Sequence, residues 1–146
     1  MKYLLDTNVL SEARHPKGDV RVKSWLEQLS PTHTYVSAIT FGEIAKGAAR
    51  LPAGAKQQEF RRWLSRLHVE FKDRILAVDA EVTETWGEAD ALGRARGKPV
   101  QTPDGFIAAT ARVHGLHVAT RNCRHMLDAG AAAFDPWTGE THEPIP

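Results

Sequence analysis

The spacing of apolar positions changes several times along this chain, and each change marks an element. Tyr3, Leu4 and Leu5 form an apolar run that stops on Asp6, which predicts a short buried strand. From Asp6 to Arg14 the pattern predicts a short helix, closed by His15-Pro16-Lys17-Gly18. Val20, Val22, Trp25, Leu26 and Leu29 predict a second helix, ending at Ser30-Pro31. Thr34-Tyr35-Val36 predicts a second strand, with Ser37 as the N-cap of a third helix over 38–50 that ends near Leu51-Pro52. A fourth helix, over 54–68, carries Phe60, Trp63, Leu64 and Leu67 on one face. Arg74 to Val78 predicts a third strand. Residues 80–96 predict a long helix with Val82, Trp86, Ala89 and Leu92 inward, stopped by Gly97-Lys98-Pro99. Thr102 is expected to cap the next helix, Pro103 to take its first position, and the helix to run to His114-Gly115. Leu116 to Thr120 predicts a fourth strand, Asn122 to Leu127 a short helical turn, and Ala131 to Phe134 a last short strand. From Pro136 onward the sequence reads as turn-rich.

Strands and helices alternate throughout. That alternation predicts an α/β fold with a mainly parallel sheet. No repeat, low-complexity segment or linker interrupts it, so 1–146 reads as one domain. The length of 146 residues fits a single domain, and a hydrophobic fraction of 42% supplies a core. Lys and Arg number 19 against 18 Asp and Glu, so net charge neither demands nor excludes a nucleic-acid partner. The single cysteine, Cys123, excludes an internal disulfide and a Cys-x-x-Cys metal site, and suits a reducing cytoplasm. Asp6 interrupts the first apolar run too early for a signal peptide, and no stretch has the length of a membrane helix. The expectation is a soluble cytoplasmic protein without membrane contact.

The candidate chemistry lies in three acids. Asp6 ends the first strand, Glu43 lies in Thr40-Phe-Gly-Glu43-Ile, and Asp104 follows Thr102-Pro103. Open α/β sheets place their chemistry at the carboxyl ends of strands. Each acid also has a structural explanation: Asp6 as an N-cap, Thr40-x-x-Glu43 as a capping box, Asp104 at a favourable helix dipole. The helix beginning at Ser37 weakens the second of these, since Glu43 then falls inside it beside Ile39, Ile44 and Ala48. An acid near an apolar face is expensive unless something positive meets it. Together the three acids predict a pocket for a hard divalent cation such as Mg²⁺, with Mn²⁺ as the alternative.

These residues carry a family resemblance. Leu4-Leu5-Asp6-Thr7-Asn8-Val9-Leu10-Ser11-Glu12, Val36-Ser37-Ala38-Ile39-Thr40-Phe41-Gly42-Glu43-Ile44 and Asp104-Gly105-Phe106-Ile107-Ala108-Ala109-Thr110-Ala111 resemble the motifs of PIN domains, within them the VapC and FitB-like toxins. His114-Gly115-Leu116, Ala119-Thr120-Arg121-Asn122 and Asp135-Pro136-Trp137 extend the likeness nearly end to end. The resemblance implies a three-layer sandwich and a metal-dependent endoribonuclease that cleaves RNA by a metal-activated water. It implies Asp6, Glu43 and Asp104 as metal ligands and catalytic acids. Thr7 and Asn8 match the hydrogen-bonding residues beside the first acid, and Thr120 and Asn122 match a polar pair that positions the site. It further implies a homodimer, a small cognate antitoxin, and contact with DNA only through that antitoxin.

His125 stands where the family usually has a fourth acid, and Met126 replaces an aromatic. His125 reads either as a ligand or water contact, or as an exposed helix histidine without a role. Asp128 lies one helical turn on as a substitute acid. Lys46, Arg50, Arg121 and Arg124 read either as solvated surface or as phosphate contacts. Two other functions stay in view. One is a catalytically weakened module that acts by binding its antitoxin. The other is a phosphatase with Asp6 as nucleophile, disfavoured because Asn8 stands where such enzymes carry a second acid. P-loop and dinucleotide-binding glycine patterns are absent.

Overall fold

A computed structural model describes residues 1–145. The chain forms β1 (Tyr3–Leu5), α1 (Thr7–Arg14), α2 (Val20–Gln28), β2 (Thr34–Ser37), α3 (Ala38–Arg50), α4 (Ala55–Glu70) and β3 (Ile75–Leu76). It continues through α5 (Ala80–Ala95), α6 (Thr102–His114), β4 (His117–Ala119), α7 (Cys123–Asp128), β5 (Ala133–Asp135) and β6 (Glu140–His142). The strands make one sheet in the order β3-β2-β1-β4-β5-β6. All neighbours pair parallel except β5 and β6, which are antiparallel.

The period-2 alternation of β1 separates two cores. Tyr3 and Leu5 join a cluster with Val9, Val22, Trp63, Leu67 and Phe134. Leu4 points the other way, into a cluster with Ile107, Ala108, Val118, Met126 and Ala133. A strand buried on both faces reads as a continuous apolar run, which is why β1 shows no polar residue. Helices on both faces of a mainly parallel sheet confirm the expected architecture.

The strand order reverses between β1 and β4. From β1 the chain steps outward to β2 and β3, then returns through α5 and α6 to β4 on the other side. The crevice at the carboxyl ends of β1 and β4 is the topological switch point of this sheet.

Several local expectations need correction. The tail after Pro136 contains β6, whose Thr141 pairs with Phe134 of β5. A 3-10 turn over Pro31–His33 was not legible in the apolar pattern. Gln101, extended at φ −60 ψ 146, takes the N-cap position of α6 instead of Thr102. Pro103 still falls in the first turn, where a helix needs no N–H from it. Leu92 is 50% exposed, and Gly93 occupies the buried position instead. A Cβ on Gly93 would lie 2.9 Å from the Lys98 carbonyl oxygen, so the loop after α5 packs against a bare backbone there.

Candidate functional site

Asp6 leaves β1 while still tied to the sheet, its N–H donating to the Ala119 carbonyl at 3.0 Å. Its side chain then caps α1: Oδ1 accepts from the Thr7 N–H at 2.8 Å. The capping explanation is therefore correct for one oxygen. The other has a different task, accepting from the Thr120 hydroxyl at 2.8 Å. Asp6 is only 4% exposed. Burial pushes its carboxyl above the ordinary aspartate range. Thr120 and Thr7 pull it back, the charge of Asp104 pushes it up again, and His125 draws it down.

Thr120 is fully buried just beyond β4 and organises its surroundings. Its Oγ1 donates to Asp6 and accepts from the Asn122 N–H at 2.9 Å and from Asn8 Nδ2 at 3.3 Å. Asn8 also accepts from the Arg121 N–H at 3.4 Å. The expected polar residues Thr7, Asn8, Thr120 and Asn122 thus form one network around Asp6. Within it Asn122 contributes its backbone N–H.

Glu43 lies inside α3, whose N-cap is Ser37, bonded from the Ile39 N–H at 3.2 Å. No capping box with Thr40 exists, and Thr40 is buried in the helix. Glu43 accepts from the Thr7 hydroxyl at 3.0 Å, which ties α3 to the start of α1. Burial pushes its carboxyl up; the Thr7 bond lowers it, Asp6 and Asp104 raise it, and Lys46 lowers it. Thr7 joins the first two acids, its N–H donating to Asp6 and its hydroxyl to Glu43, and Asp104 is near enough for its charge to raise both carboxyls.

Asp104 projects from the first turn of α6. The residue behind it, Gly105, lets the Trp86 indole approach. A Cβ there would lie 2.7 Å from Trp86 Cδ1. Trp86 also packs against Phe106, ring centres 4.8 Å apart. Gly105 and Trp86 were missed as site-building residues, because a close backbone approach leaves no mark on a single sequence except the glycine itself.

His125 Nδ1 lies 3.2 Å from Asp104 Oδ2, so its ring is hydrogen-bonded to the third acid. Their side chains are 58% and 22% exposed. The bond to Asp104 comes from His125, one turn before Asp128.

The donor set is chemically suited to a hard cation. Each Asp6 oxygen uses one lone pair on an internal donor and keeps others. Only one oxygen of Glu43 and one of Asp104 are engaged in side-chain hydrogen bonds among the described residues. Among the described residues no three His, Cys, Asp or Glu side chains converge closely enough to enclose an ion alone. Mg²⁺ takes oxygen donors of this kind, keeps several waters and is commonly held by one or two carboxylates.

The PIN domain family model matches residues 3–129. Toxin FitB of Neisseria gonorrhoeae is 38% identical over 135 residues, covering 92% of this chain and 97% of that protein. VapC ribonuclease Y4jK of Sinorhizobium fredii is 34% identical, covering 92% and 96%. A solved structure of FitAB bound to a DNA fragment superposes with a TM-score of 0.85 at 38% identity, covering 92% of this chain and 95% of that one. Motifs, sheet order and these likenesses agree: the chain belongs to the PIN domain family.

Proposed function

We propose that this protein is a divalent-metal-dependent endoribonuclease, the toxin of a toxin–antitoxin pair. The observation that carries the reading is Asp6: a buried carboxylate at the sheet's switch point, held by two donors, joined to Glu43 through Thr7 and near enough to Asp104 to be raised by its charge. Clustered acids of this kind repel one another unless a cation joins them. A bound Mg²⁺ or Mn²⁺ would supply a water of lowered pKa and would stabilise charge on a phosphoryl oxygen.

Asp6, Glu43 and Asp104 would hold the ion, directly or through water. Thr120 and the Thr7 N–H fix the Asp6 oxygens before substrate arrives, so no side-chain reorganisation is needed there. The Thr7 hydroxyl holds Glu43 at the crevice. His125 steadies Asp104 through Nδ1, leaving Nε2 for solvent or substrate.

The likeness to a toxin, to a VapC ribonuclease and to a complex containing DNA supports RNA as substrate and a small antitoxin as partner. DNA would be reached through the antitoxin, and two copies would associate. A groove of about 800 Å³ accords with the antitoxin reading, lined by apolar side chains such as Leu26, Leu29 and Trp63 together with the charged Arg14, Lys23, Glu27, Arg66, Glu70 and Arg74. An amphipathic helix fits a groove of this character. No helix among the described residues is long and apolar enough to cross a membrane, which accords with a cytoplasmic location.

Cleavage of a labelled single-stranded RNA by the purified protein in Mg²⁺ or Mn²⁺ tests the reading. Asp104→Asn is expected to lower the rate at least about a hundredfold, the scale of losing one key transition-state contact. Undiminished cleavage by that variant would remove the acids from the mechanism. Failure of wild type to cut any RNA while still binding its antitoxin would favour the weakened-module alternative.

A further inference from the structure

Charge is unevenly distributed over the helices. Between Ile44 and His68, on α3 and α4, six cations stand against one acid, Glu59. Between Asp79 and Asp90, on α5 and its cap, five acids stand without a cation. None of the six cations takes part in a salt bridge among the described residues. The ion pairs present lie elsewhere, as between Arg94 and Asp90 at 2.9 Å.

Two of these cations have a defined relation to the site. Lys46 and Arg50 follow Glu43 at spacings of three and four, so the three residues share one stripe of α3. Lys46 is close enough to Glu43 for its charge to favour the ionised carboxylate. Both cations are exposed. Of the buried residues of α3, Phe41, Ile44 and Ala48 face away from this stripe, and Thr40 lies between. The stripe therefore begins at the acidic crevice and leads away from it as unpaired positive charge. A buried or internally paired lysine would have a structural task; these have none.

We infer that Lys46 and Arg50 form a track for the RNA backbone, binding the phosphates next to the one that enters the acidic crevice. The inference rests on the ribonuclease reading and adds where the strand runs. Phosphate contacts fix register without reading sequence and need only well-placed cations. The arrangement also answers a physical difficulty, because a crevice of three acids repels a polyanion. Cations beside the crevice offset that field and draw the strand in.

Salt-dependent binding of a fluorescent single-stranded oligoribonucleotide tests the track, in the full-length Asp104→Asn background so that the strand survives. Single-strand binding weakens with salt at a log–log slope of about −0.7 per phosphate neutralised. Lys46→Ala with Arg50→Ala is expected to flatten that slope by about 1.4. Lys46→Gln with Arg50→Gln, equally uncharged but longer, is expected to match it. Lys2→Ala with Arg112→Ala, one before the start of β1 and one in the last turn of α6, at the ends opposite Asp6 and Asp104, is expected to leave the slope unchanged. An unchanged slope in the Lys46 and Arg50 variants, with intact folding by circular dichroism, would overturn the track. If those variants instead lost antitoxin binding at an unchanged RNA slope, the stripe would belong to a protein partner and the inference would also fall. Absence of any salt-dependent RNA binding by the Asp104→Asn protein with its cations intact would count against the ribonuclease reading itself, together with the track.

Discussion

Asp6 is 4% exposed with both oxygens held by fixed donors, whereas Asp104 stands at the rim with a histidine ring as its hydrogen-bonded partner. The two carboxylates are near enough for the charge of Asp104 to raise Asp6, yet they are built differently. Asp6 is part of the fold: it caps a helix, joins a ladder and anchors a network. Asp104 is carried on the fold, its place set by a helix start and by the indole packed behind Gly105. Pre-organisation is thus concentrated on one side of the site. The other side is free to adjust to what binds.

Substitution by asparagine separates the two most sharply. In metal-free melts Asp104→Asn is expected to be at least as stable as wild type, because one repelling charge has gone. Asp6→Asn removes a charge as well, but it turns an N–H toward Thr120 Oγ1, which already accepts from Asn8 and Asn122. It should therefore be less stable than Asp104→Asn by about 1 kcal/mol, the size of one hydrogen bond. Added Mn²⁺ should then stabilise wild type by about 2.7 kcal/mol at a hundred times Kd, and both variants by much less. Equal Mn²⁺ stabilisation of all three proteins would break the picture of one shared site.

The pH dependence of Glu43 sharpens the comparison from the third side. Its carboxyl is raised chiefly by burial. A raised acid contributes stability that is fully present when protonated, below its ordinary range, and lost as pH rises through its folded value. Metal-free Glu43→Gln keeps an oxygen for the Thr7 hydroxyl and carries no charge. It is expected to melt above wild type at pH 7, with the gap closing as pH falls toward the ordinary glutamate value. A gap that widened on acidification would show that Glu43 is stabilised, not strained, by its neighbours.

The smallest expected effect concerns His125. Imidazole serves Mn²⁺ better than Mg²⁺. If its ring reaches the ion or the attacking water, His125→Asp should shift the ratio of Mn²⁺- to Mg²⁺-supported cleavage toward Mg²⁺ by a few-fold, and His125→Ala should move it differently. A single ratio shared by wild type and both variants would confine His125 to steadying Asp104.

Much of this was legible because the period of the apolar pattern switched cleanly at each element. Glycine and proline marked several of the boundaries, as at Gly97-Lys98-Pro99 and Gly115. Asp6 and its Thr7-Asn8 neighbours were visible as a polar break after a buried strand. Other features were illegible for identifiable reasons. The strand β6 is short, alternates Glu, Thr and His, and exists because β5 needs a neighbour, so no burial pattern announces it. Leu92 is apolar and exposed, which periodicity alone counts as inward. Thr120 was marked by the family resemblance as one of a polar pair that positions the site, but not as the centre of a network. Its central position depends on three partners, from the Asp6–Asn8 turn and from Asn122, that only the β1–β4 pairing assembles.

The bond between Thr120 and Asp6 spans 114 positions of sequence. Synthesis at about 5–20 residues per second puts on the order of ten seconds between the two residues leaving the peptidyl-transfer centre. Throughout that interval the nascent chain carries Asp6 and Glu43 without Thr120, and Asp104 joins only toward its end. Parallel pairing across so long a loop is also among the slower steps a small domain takes. The crevice therefore cannot close until translation has passed the fourth strand. A partner translated nearby has that interval in which to be folded and waiting.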